Sequence, residues 1–111
     1  MDLFGDEKLM ELKFIKGHRI LNVYIKDRTI NFLVSGMNQQ PLPFDLNVIE
    51  NMPEHEQAIY FKNFEFKIQE ILPSFNLGLN SVNKYKTDAL IAKDIIKDLQ
   101  EDGWRRYGHR N

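Results

Sequence analysis

A chain of 111 residues with 42% apolar and 28% charged content has the size and balance of one ordinary globular domain. It contains no cysteine, which excludes disulfide frameworks, thiolate zinc sites and cysteine nucleophiles together. The net charge of −1 is uneven: residues 104–111 hold Arg105, Arg106 and Arg110 and no acid, and the rest of the chain is acidic. That is not the broad basic footprint of a general nucleic-acid binder.

The first seven residues are acidic and lack the apolar run of a signal peptide. The longest apolar runs are four residues, too short to span a bilayer, so the expected setting is cytoplasmic.

Residues 9–35 carry a hydrophobic pattern that sets its own register. A two-residue turn at Gly17 and His18 places Met10, Leu12 and Phe14 opposite Ile25, Val23 and Leu21. A second turn at Asp27 and Arg28 places Leu21, Val23 and Ile25 opposite Val34, Phe32 and Ile30. Nine apolar side chains then share one face of a three-stranded antiparallel meander. A slip of one residue would send each strand's set to the other face.

Residues 36–43 hold two prolines and three amides and read as a loop. Asp45 can cap a short helical turn through Ile49. Asn51, Pro53 and Glu54 resemble a helix start, and apolar residues at Ala58, Phe61, Phe64, Ile68 and Ile71 follow at mostly helical spacing until Pro73. Phe64, Phe66 and Ile68 also alternate as a strand would. Helix is preferred because the start and stop signals fit. Residues 74–86, rich in Asn, Ser and Gly, read as a long loop. Thr87 then caps the clearest helix: Ile91, Ile95 and Leu99 are spaced by four, charged residues cover the opposite side, and Gly103 ends it. The expectation is a single α+β domain over residues 1–111. A meander at about 9–35 is covered on one face by helices at about 53–72 and 87–102. A short basic tail follows at 104–111.

Two candidate surfaces emerge. The second sheet face carries Glu11, Lys13 and Ile15, then Ile20, Asn22 and Tyr24, then Asn31, Leu33 and Ser35. Large residues such as Ile15, Ile20, Tyr24 and Leu33 on a face that should be polar suit a binding surface. The tail offers Trp104, Arg105, Arg106, Tyr107 and Arg110. Arginines interleaved with aromatics suit phosphates and bases, or equally an acidic protein surface. In the plainer reading, other segments cover the sheet face, and Trp104 folds back onto the core while the arginines are solvated.

Nothing points to catalysis. His18, His55 and His109 stand at no established metal spacing. Two acid-x-Lys triplets, Glu11 to Lys13 and Glu65 to Lys67, are chance-level matches to metal-dependent nucleases. No glycine-rich phosphate loop is present, and no cofactor is expected. The sequence therefore favours a small non-enzymatic protein-binding module, in the class of phage-encoded or bacterial inhibitors, immunity proteins and adaptors. Homo-oligomers through a sheet edge or the exposed sheet face belong to the same reading. The alternative is a nucleic-acid binder using the sheet face and tail, with Lys13, Arg19, Asn22, Tyr24, Arg28 and Asn31 as contacts.

Overall fold

The two tight turns set the sheet. Gly17 has φ +64° at the first central position of the first hairpin, the position a type II′ turn reserves for glycine. Asp27 and Arg28 both have positive φ, 53° and 66°, as a type I′ turn requires. In the computed structural model, which describes residues 9–73, 75 and 87–107, these turns join β1 (Met10–Lys16), β2 (Arg19–Lys26) and β3 (Thr29–Val34). The register is the one the alternation predicts: Leu12 opposite Val23, and Val23 opposite Phe32.

A left-handed arginine costs roughly 1–2 kcal/mol without compensation, and the second turn is correspondingly well held. The Arg28 guanidinium lies 2.7 Å from Glu50 and 3.6 Å from Asp88. The Arg28 N–H donates to Asp88, its carbonyl accepts from Leu46 N–H, and the Asn47 amide donates to the Asp27 carbonyl.

Among the described residues the sheet has five strands, in the order β4-β3-β2-β1-β5, where the sequence pattern predicts three. The first addition is β4 (Leu42–Asp45), whose first two residues fall in the stretch expected to be a loop, and it pairs antiparallel with β3. Its Pro43 breaks no ladder because β4 is an edge. The Asp45 N–H points away from β3 and donates to the Tyr60 hydroxyl at 2.9 Å. Pro43, two residues earlier and of the same parity, has no N–H to offer. This edge therefore presents no free donor at either outward position, which protects it from pairing with another strand. The second addition is β5 (Arg105–Arg106), formed by residues expected to be tail, which pairs with β1.

Among the described residues, three helices accompany the sheet. In α1 (Leu46–Glu50), the Asp45 side chain accepts from Asn47 N–H, as a cap should. Asn51, expected to cap the next helix, instead closes α1, with its N–H bonded back to that helix. Consequently α2 (Glu54–Ile71) starts after Pro53 with no side-chain cap. Gln57 ties this corner together by donating to the Ile49 and Met52 carbonyls. Residues 63–69 are helical: Phe64 and Ile68 are buried, and Phe66 is 66% exposed. In α3 (Asp88–Glu101), Thr87 caps Leu90 N–H, and Ile91, Ala92, Ile95 and Leu99 are buried. Gly103 follows with φ +99°, and a Cβ there would meet Lys16 Cε at 3.2 Å. Both facts favour glycine.

Side chains of α2 and α3 join the alternating strand residues in one buried cluster. Phe64 meets the Phe44 ring edge-on at 4.7 Å and the Phe32 ring at 5.8 Å. No polar or charged residue is buried among the described residues. Leu99 is fully enclosed and Lys93 is exposed. Leu99→Ala should therefore cost roughly 2–5 kcal/mol. Lys93→Ala should change stability by less than about 0.5 kcal/mol. Chemical denaturation of the two variants checks the difference.

Candidate functional site

Strand alternation sorts the candidate residues. On the face opposite the cluster, β2 presents Ile20, Asn22 and Tyr24, each half-buried. Ile15 stands opposite Ile20, Lys13 opposite Asn22, and Glu11 opposite Tyr24 on β1. Leu33 stands opposite Asn22, and Asn31 opposite Tyr24 on β3. Ile15, Asn31 and Leu33 are half-buried too, and Glu11 and Lys13 are exposed. The Ile20 N–H is held by the Ser35 hydroxyl at 3.1 Å. Asn22 Oδ1 is enclosed with no hydrogen-bond partner, an unsatisfied acceptor in the middle of this face.

β5 divides the other candidate set between the two faces. Arg105 pairs with Ile15, which places it, exposed, on the outer face. Tyr107 is tied by its N–H to the Lys13 carbonyl at 2.9 Å and is 46% exposed. By alternation it follows Arg105 onto the outer face. Trp104 and Arg106 belong to the opposite, core side. Trp104 is 1% exposed, and its N–H bonds back to the Leu99 carbonyl. Lys16 and Arg19 flank its ring at 5.9 and 5.5 Å. Lys16 also donates to the Asp102 carbonyl at 2.7 Å, fixing the end of α3 against β1. Arg106 is half-buried, with its guanidinium 5.7 Å from the Phe14 ring. It is a packed residue, not a solvated tail side chain. Arg110 and His109 lie outside the described residues.

The structure thus merges part of the two candidate surfaces. Arg105 and Tyr107 extend the outer sheet face beyond β1, and Trp104 and Arg106 leave the binding set for the core. The joining of tail to sheet was not legible in the sequence, because a two-residue strand has no periodicity to read. Two residues of the nucleic-acid contact set are also engaged elsewhere: Arg19 over Trp104, and Arg28 with Glu50 and Asp88.

Among the described residues there is no group of three or more His, Cys, Asp or Glu side chains placed to hold an ion. Glu11 and Lys13 lie on the sheet, and Glu65 and Lys67 on α2. His18 and His55 are exposed, and the only partner near His55 among the described residues is Glu56, at 3.9 Å. No described helix is long and apolar enough to cross a membrane. No protein-family model, curated protein or solved structure matches this chain.

Trp104 and Arg105 are neighbours in sequence with opposite environments. Trp104→Ala should lose about 3–5 kcal/mol of stability, whereas Arg105→Ala should stay within about 0.5 kcal/mol of the parent. Thermal and urea unfolding of the two proteins tests this.

Proposed function

We propose that the protein is a small non-enzymatic binding module of the inhibitor, immunity or adaptor type, and that it captures another protein on the outer face of its sheet. In this reading α2 and α3 cover the face that bears Val23, and the opposite face is left for the partner. One observation carries it: Ile15, Ile20, Tyr24 and Leu33 form a block of half-buried large side chains across three adjacent strands, with Lys13 and Arg105 at its β1–β5 side. An apolar centre with a polar rim, with tyrosine and arginine among its residues, is the composition of protein–protein interfaces. The cations at one side suit a partner surface with an acidic rim, whose approach they would steer.

A second reading, binding of DNA or RNA by the same face, is supported by the presence of Arg105, Tyr107, Lys13, Asn22, Tyr24 and Asn31 on it. An antiparallel sheet can enter a major groove, and aromatics can stack on bases. The acidic balance of the rest of the chain and the engagement of Arg19 and Arg28 weigh against it.

Leu33→Lys separates binding from folding. The side chain is half exposed, so its charge can remain in water and the protein should keep a cooperative unfolding transition. Pull-downs with parent and variant, with and without nuclease, give the readout. One stoichiometric protein that survives nuclease and is lost with Leu33→Lys is the expected result. Loss of every partner on nuclease treatment would favour the nucleic-acid reading. A partner retained equally by both proteins would remove the outer face from consideration.

A further inference from the structure

At the far side of the sheet from β5, the β4 edge and α2 enclose a groove of about 300 Å³ lined by Leu42, Pro43, Tyr60, Asn63, Phe64 and Lys67. An apolar cavity of roughly 150 Å³ accepts a benzene ring. This groove therefore has room for a ring, or a branched aliphatic group, with a short chain attached. Its apolar walls come from Leu42, Pro43 and Phe64. The charge of its described lining is one-sided, and its polar groups can all donate. Lys67 carries only donors, and its ammonium makes no ion pair or hydrogen bond with a described residue. The Asn63 side chain likewise has no hydrogen-bond partner among the described residues. Tyr60 already uses its oxygen to accept the Asp45 N–H, which leaves the hydroxyl hydrogen to donate. None of the six described lining residues is acidic.

Apolar walls with a cation and two neutral donors select a ligand with an apolar body and an anionic end. We propose that this groove binds a small carboxylate with an aromatic or branched aliphatic body. The body lies against Phe64, Pro43 and Leu42. The carboxylate takes the Lys67 ammonium, with Asn63 as its second donor. Two parts of the scaffold make the site firm. Phe64 is locked between Phe32 and Phe44, and the Tyr60–Asp45 hydrogen bond pins α2 to β4. Of the described lining, only Pro43, opposite Asn31, borders the outer face, and the proposed anion contacts lie on α2, so the proposal stands or falls independently of the function proposed above.

The test is an amide-resolved NMR titration of the full chain with 4-phenylbutyrate and isovalerate. The uncharged 4-phenylbutyramide serves as the control for the first. Saturable shifts should cluster at Leu42, Asn63, Phe64 and Lys67. The amide should bind roughly tenfold more weakly than the acid, because it loses the charge-assisted contact. Lys67→Met keeps the apolar stem and removes the charge. It should bring the acid down to the affinity of the amide and leave the melting temperature unchanged. The proposal is overturned by any of three results: no saturable shift with either acid up to 10 mM (roughly −2.7 kcal/mol of binding), equal affinity for acid and amide, or shifts centred on the outer face at Lys13, Asn22 and Tyr24.

Discussion

The pairing of Val23 with Leu12 on one side and Phe32 on the other is the constraint on which the rest of the molecule depends. Side chains alternate along a strand with a period of two, so this one register decides the side of the sheet for every residue of β1, β2 and β3. The two turns enforce it. Types I′ and II′ match the twist of a hairpin and leave no spare residue to absorb a slip. Once Val23 faces inward, Asn22 and Tyr24 must face outward. The buried cluster and the candidate binding face are two consequences of a single choice.

That choice leaves two sheet edges, and the protein closes β4 and the Lys13–Ile15 part of β1 by different means. At β4 the closure is chemical: proline removes one outward donor, and Tyr60 takes the other. At β1 it is topological. The chain leaves α3 through Gly103, buries Trp104, and lays Arg105 and Arg106 along Phe14 and Ile15. Trp104, its ring flanked by Lys16 and Arg19 and its backbone N–H donating to the Leu99 carbonyl, links the last helix to the first hairpin. At Gly103 the positive φ favours glycine, and a Cβ would press on the Lys16 side chain at 3.2 Å. The arginines of this segment thereby acquire two roles. Arg106 packs over Phe14, and Arg105 stands out from the outer face.

The outer face owes its composition to this route. Without β5 its β1–β3 part would hold isoleucine, asparagine, tyrosine and leucine with Glu11, Lys13 and Lys26, and β4 would add Pro43 beside Asn31. With β5 it gains an arginine and a tyrosine beside Lys13 and Ile15. An apolar centre with a cationic aromatic margin is the feature on which the proposed function rests. The groove at β4 has a different origin. It arises where an edge strand carrying proline meets the aromatic side of α2, on the opposite side of the sheet.

By itself the sequence determined the hairpins, their register, the Thr87 and Asp45 caps, the helical state of α2 and α3, and the face of α3 that is buried. Each of these is local. It depends on a period of two or of 3.6, or on a turn or cap residue acting within a few positions of itself. Only the tertiary structure decided that residues 42–45 and 105–106 are strands. Pro43 and a two-residue segment have little strand character of their own, and each is held extended by a neighbouring strand's unpaired edge. Tertiary contacts also split the basic segment, because the strand position of Arg105 opposite Ile15 sends Trp104 and Arg106 to one face and Arg105 and Tyr107 to the other. The same holds for Asn51. Its cap signature was real, but α1 ends where α2 was expected to begin: the Asn51 side chain donates back to the Asn47 carbonyl, and α2 starts only after Pro53.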